Sequence, residues 1–88
     1  MIEFVSPIQN KIGIHLRAAG EFVKVASQYA CKITVLNDGR KANGKSILGL
    51  AGLAIATGTN VTIQVDGKDE EEAKTAIETL INNNFNED

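Results

Sequence analysis

The chain reads as an α+β open-faced β-sandwich, β-α-β-β-α-β-α in order, with a four-stranded antiparallel sheet covered on one face by three helices and open to water on the other. Three observations predict it. Short stretches of alternating apolar and polar residues give way repeatedly to stretches of helical spacing, and Asn37-Asp38-Gly39 supplies a hairpin turn between two of the short ones. The 88 residues, 43% hydrophobic, suffice for one two-layer core and not for a second, so residues 1–88 are expected to form a single domain.

In residues 2–8, Ile2, Phe4, Ser6 and Ile8 share one parity and Glu3, Val5 and Pro7 the other, the pattern of a half-buried strand. Pro7 places it at an edge, because proline has no N–H for a second ladder. Asn10 to Gly13 form a loop. Ala19, Phe22, Val23 and Ala26 then fall at i, i+3, i+4 and i+7, which predicts an amphipathic helix from near Leu16 to near Tyr29.

Ile33 and Val35 alternate with Lys32 and Thr34 in a second strand, and the hairpin leads into a short polar strand over Arg40–Asn43 that suits the other edge. Ser46 is a good N-cap for a short helix over 47–53, although Gly49 and Gly52 weaken it by about 1 kcal/mol each. Thr57 to Asn60 turn the chain. Val61, Ile63 and Val65 alternate with Thr62 and Gln64 as the clearest strand, ended by Asp66-Gly67-Lys68. Asp69 is expected to cap the last helix, with Glu72 completing a capping box and the acids of the first turn stabilising its positive end. Ala73, Ala76, Ile77, Leu80 and Ile81 make its buried stripe, and Asn82-Asn83-Asn84 should fray its end.

Composition excludes several classes of function. The longest nearly apolar run, Ile47 to Ala56, falls far short of the roughly 20 residues that cross a bilayer, so no membrane insertion is expected. The N-terminus lacks the basic start and apolar core of a signal peptide, which points to the cytoplasm. Cys31 is the only cysteine and is expected to be a small half-buried residue; with one histidine beside it in the whole chain, no disulfide, metal site or cofactor is anticipated.

Charge is divided unevenly. Residues 1–45 carry seven Lys/Arg against three Asp/Glu, whereas residues 46–88 carry two against eight. Most such charges simply solvate a surface, but the basic half suits an anionic ligand or an acidic protein partner. A pI near 5.3, one Tyr and no Trp argue against nucleic acid.

The only histidine, His15, lies where the first helix begins, with Arg17 two residues on. The first N–H groups of a helix lack intrahelical partners and carry partial positive charge, so they bind phosphate oxygens. A guanidinium adds bidentate contacts to a phosphoryl group in flight. From these residues alone, an ordinary surface histidine and a phosphate-handling one fit equally well.

Gly13-Ile14-His15-Leu16-Arg17-Ala18-Ala19, followed about thirty residues later by Asn43-Gly44-Lys45-Ser46-Ile47-Leu48-Gly49, resembles the histidine-containing phosphocarrier (HPr) family of the bacterial sugar phosphotransferase system. The resemblance covers essentially the whole chain. It implies that enzyme I, charged by phosphoenolpyruvate, phosphorylates His15 on Nδ1 and that the phosphoryl group passes on to IIA domains of sugar permeases, with Arg17 assisting. Such a protein is a carrier, not an enzyme, and is expected to act as a monomer. The family usually has proline where this chain has Ala18, and often a smaller residue than Leu16. The first departure should loosen the helix start; the second should bear on partner choice.

The resemblance also marks Ser46 as a serine phosphorylated by a dedicated HPr kinase/phosphorylase in many relatives, which then engage a catabolite-control transcription factor. A plain N-cap role fits Ser46 equally well. An apolar surface of Leu16, Ile47, Leu48 and Ala51, rimmed by Lys24 and Lys45, is the expected docking face; Ile47 and Ala51 also suit the core, leaving Leu48 as the exposed anchor. Two other classes stand beside the carrier. One is a regulatory or nitrogen-branch HPr-like module that works by phosphorylation-dependent binding. The other is a small hydrolase or transferase using His15 as acid/base, disfavoured because no carboxylate lies near His15 in sequence.

Overall fold

A computed structural model describes residues 1–87. Strands β1 (Ile2–Pro7), β2 (Lys32–Asn37), β3 (Arg40–Asn43) and β4 (Asn60–Asp66) and helices α1 (Leu16–Ala26), α2 (Ile47–Gly52) and α3 (Glu70–Asn82) follow in the anticipated order. The sheet runs β1-β4-β2-β3 with every pair antiparallel, so the proline-bearing strand and the polar strand take the two edges. Register explains the two faces. Phe4, Ile63, Val35 and Ala42 line up across the four strands beneath the helices, while Glu3, Gln64, Thr34 and Asn43 line up on the open face. On that face Gln64 Nε2 donates to Glu3 Oε1 at 2.8 Å.

The helices close the other face with Ala18, Ala19, Phe22 and Ala26 of α1, Leu50 of α2, and Ala73, Ile77, Leu80 and Ile81 of α3, all buried in the cluster that includes Ile33, Val35, Val61, Ile63 and Val65. The hairpin is a primed turn: Asp38 and Gly39 both have positive φ, 53° and 77°, which matches the twist of the flanking strands.

Four expectations need correction. Helix α1 stops at Ala26, three residues before Tyr29, because the chain tightens into bonds from Gln28 N to Val25 O (3.1 Å) and from Tyr29 N to Ala26 O (3.2 Å). Asp69 does not cap α3 with its side chain, nor does Glu72 complete a capping box. The Asp69 carboxylate instead accepts from the N–H of Ala30 at 2.8 Å and of Cys31 at 3.0 Å, joining the start of α3 to the start of β2. The Ala30 N–H above all, with Cys31, holds Asp69 below the ordinary aspartate range. Glu70 takes the local bond, accepting from Gly67 N at 3.0 Å, and its carboxyl is lowered by that N–H and by the nearby Met1 ammonium.

Cys31 is fully buried rather than half-buried, and burial, reinforced by Asp69, pushes its thiol up. The stretch after α3 does not fray. Asn84, Phe85 and Asn86 all take positive φ (54°, 56° and 61°), a left-handed turn that sends Phe85 into the core and reverses the chain. Asparagine is the non-glycine residue best suited to that conformation, and two flank the phenylalanine.

Candidate functional site

His15 is delivered by the loop from Ile8 to Ile14, and that loop is tied down on both sides. Ile8 N bonds to Thr59 O at 2.8 Å and Ile14 N to Ile55 O at 2.9 Å, so the loop is docked against the segment between α2 and β4. Gly13 makes the approach possible. Its φ is +86°, and a Cβ there would meet the carbonyl oxygen of Ile55 and the backbone N of Thr57. Asn10, 1% exposed, closes the loop from within by donating from Nδ2 to Gly13 O at 2.6 Å.

At the end of this loop His15 is the N-cap of α1, with extended backbone (φ −95°, ψ −176°) and its carbonyl accepting the first intrahelical bond from Ala19 N at 2.9 Å. The imidazole replaces the usual serine or aspartate side chain: Nδ1 accepts from Arg17 N at 3.2 Å. The ring is 28% exposed, so one edge remains open to solvent. Nδ1 therefore faces the first turn of α1, whose leading N–H groups have no partner within the helix. The Arg17 side chain is exposed on the same turn.

The opposite ring nitrogen has a partner that the local sequence did not reveal. Glu87 Oε1 lies 3.3 Å from Nε2, and Glu87 Oε2 accepts from Asn10 Nδ2 at 2.8 Å. Seventy-two positions separate the two residues, so no carboxylate lies near His15 in sequence, yet the fold brings one to it. No periodic or motif signal marks Glu87; it follows a polar run that reads as a fraying end. Asn10 was likewise read only as loop. Among the described residues no group of three or more His, Cys, Asp or Glu is arranged to hold a metal.

The second region is α2. Ser46 is its N-cap, with Oγ accepting from Gly49 N at 3.0 Å. Gly49 lets this cap close tightly, since a Cβ at that position would press on Ser46 Oγ at 3.1 Å. Leu48 is 80% exposed, Leu16 61% and Ile47 39%, while Ala51 is half-buried and Leu50 is the α2 residue in the core. Ile47 is thus a surface residue, and Ile12, 67% exposed in the loop before His15, adds apolar surface that the sequence reading passed over. Lys24 is exposed in the last turn of α1, where a cation suits the helix dipole. Lys45 is not a free rim charge: its Nζ donates to Tyr29 O at 2.6 Å, tying the approach to α2 to the exit of α1.

A helix-covered antiparallel sheet with one partly exposed histidine at a helix start places the chain in the class of small open-faced α+β sandwich domains. The sequence matches the family profile described as "PTS HPr component phosphorylation site" over residues 2–83. It is 45% identical over 80 residues to the phosphocarrier protein HPr of Neisseria meningitidis, covering 91% of this chain and 90% of that one. The HPr-like protein Crh of Halalkalibacterium halodurans is 38% identical over 81 residues, 92% of this chain and 96% of the relative. The crystal structure of HPr from Thermoanaerobacter tengcongensis superposes with a TM-score of 0.94 at 41% identity, over 100% of this chain and 99% of that one. The chain belongs to the HPr family of phosphocarriers of the phosphotransferase system.

Proposed function

We propose that this chain, acting as one domain and as a monomer in the cytoplasm, carries a phosphoryl group on His15 Nδ1. It takes the group from phosphorylated enzyme I and delivers it to IIA domains of sugar permeases. One observation carries the reading: Nδ1 caps α1 by accepting the Arg17 N–H at 3.2 Å, so a phosphoryl group bound there would meet unpaired first-turn N–H groups. In the forward step the Nδ1 lone pair attacks phosphorus and the donor leaves with the electron pair of the bond it held. Arg17, exposed on the same turn, supplies a planar cation for the charge spread over the phosphoryl oxygens.

Leu16, Ile47 and Leu48 form the apolar part of the docking face, with Lys24 as a basic neighbour; Ala51 and Lys45 support it from within. Ser46 is the proposed regulatory site for an HPr kinase/phosphorylase, with a catabolite-control transcription factor as reader. A phosphate on it would place about −1.5 to −2 charges at the start of α2, where the helix tolerates them but an acidic partner does not. Transfer through His15 should then slow. A Ser46→Asp protein that accepts phosphate as fast as wild type would count against this regulation.

The experiment for the main reading is incubation with enzyme I and phosphoenolpyruvate, followed by a search for acid-labile, alkali-stable phosphate. Label on the wild type and none on His15→Ala is expected. Absence of label on the wild type would overturn the reading. The match to the HPr-like protein Crh, whose Bacillus subtilis form is described as a catabolite repression HPr, favours a second reading, a regulatory module working through Ser46, under which His15→Ala would leave function intact.

A further inference from the structure

The geometry points to Glu87 as a positioning residue for His15: its carboxylate, held by Asn10 and by the left-handed turn at Asn84–Asn86, keeps the imidazole proton on Nε2 and so leaves Nδ1 as the nucleophile. The protonation follows from the contacts. Nδ1 accepts the Arg17 N–H, so it carries the lone pair, and the ring's proton must reside on Nε2, where Glu87 Oε1 at 3.3 Å is an acceptor.

The carboxylate is itself fixed. Its second oxygen accepts from Asn10 Nδ2 at 2.8 Å, and the same Nδ2 donates to Gly13 O at 2.6 Å, so one buried amide aligns both the loop that carries His15 and the acid that faces it. Glu87 is 15% exposed. Its backbone is placed by the bonds Asn86 N to Asn83 O and Glu87 N to Asn84 O, each 3.0 Å, and by Phe85, 1% exposed, which seats the turn in the core. Non-glycine residues in the left-handed region are strained, so three in a row persist only where burial and hydrogen bonds hold them.

The role rests on the carrier reading above. When Nδ1 bonds to phosphorus and a phosphorylated donor protein departs with its electron pair, Nε2 retains its proton and the ring becomes a cation. Glu87 then faces a positive ring in place of a neutral one, and its attraction grows as the N–P bond forms, which favours acceptance. Among the described residues, the charged side chains that adjoin His15 along the chain are Arg17 on α1 and Lys11 in the preceding loop, while α2 and the segment 54–59 contain none. Glu87 is the anion in contact with the ring among the described residues.

The test uses full-length wild type, Glu87→Gln and Glu87→Ala, with thermal melts confirming that each is folded. In the unphosphorylated protein near pH 8.5, ¹⁵N–¹H spectra of the ring should show the proton on Nε2 in the wild type. Its exchange with water should quicken about tenfold in both variants, the size expected for losing a charge-assisted hydrogen bond. With enzyme I, kcat for acceptance should fall by a similar factor, with KM little changed. Unchanged exchange of the ring proton in both variants would overturn the proposal. That measurement needs no phosphoryl transfer, so it stands apart from failure of the carrier reading, which would appear as an unlabelled wild type.

Discussion

Gly13 and Ile55 share a contact that leaves no room for a side chain: the Gly13 Cα, at φ +86°, lies so close to the Ile55 carbonyl that a methyl group would overlap it. The obstacle is backbone, which cannot swing aside. Gly13→Ala should therefore cost about 2 kcal/mol or more in chemical denaturation, from left-handed strain together with the clash. It should also lower phosphoryl acceptance beyond the loss of folded protein, since the loop that places His15 must move. A variant with wild-type stability would show that the loop can relax.

Ala18→Pro has a different expected signature. Ala18 lies in the first turn of α1, where an N–H has no partner within the helix, so proline removes no bond of the fold. Stability should rise by roughly 0.4–1 kcal/mol through restriction of the unfolded chain. Acceptance rates should stay within a few-fold of wild type. A large change in rate would show that the Ala18 N–H contacts the phosphoryl group directly.

Leu48→Ala separates docking from folding. Because Leu48 is 80% exposed, its truncation should change stability by less than about 0.5 kcal/mol. KM for enzyme I or a IIA domain should rise several-fold if this residue anchors the interface, as exposed apolar anchors do. Leu50→Ala, one helix position that faces the core, is the contrasting control: it should cost about 2–5 kcal/mol.

Acid should find its weak point at Asp69. Its folded-state carboxyl is held below the ordinary value of about 3.9, chiefly by the Ala30 N–H, so its contribution is present above that value and is lost as pH falls through the lower folded value. Glu70 behaves in the same sense. Unfolding curves should thus be nearly flat in this respect above pH 5 and fall away below about pH 4. In Asp69→Asn the acid-side slope should be shallower, with lower stability at neutral pH.

Strands β1, β2 and β4 were readable because apolar and polar residues alternate along them, most clearly in β4, where Val61, Ile63 and Val65 are buried with Thr62 and Gln64 between them half-exposed, and β3 was readable from its hairpin turn. The start of α1 was readable too, and with it the place of His15. What escaped was decided by distance along the chain. Asp69 has the right residue type for a cap, yet two N–H groups nearly forty positions away compete for its oxygens and win. Asn82 to Asn84 looked like a fraying end because local propensity says nothing about Phe85 finding a cavity in the core. Glu87 reached the histidine for that tertiary reason alone, and Ile47, at the first position of α2, stays partly exposed while Leu50 one turn on is buried.

The left-handed turn makes residues 83–87 a unit that can open without the sheet. Opening residues 83–87 requires Phe85 to leave the core and Glu87 to release Asn10 and His15, but breaks no rung of the sheet. Opening this segment alone breaks fewer contacts than unfolding the whole domain and should therefore cost less than global unfolding. Amide exchange should therefore report the site loosening in molecules whose strands remain fully protected, so that the readiness of the histidine varies while the scaffold around it endures.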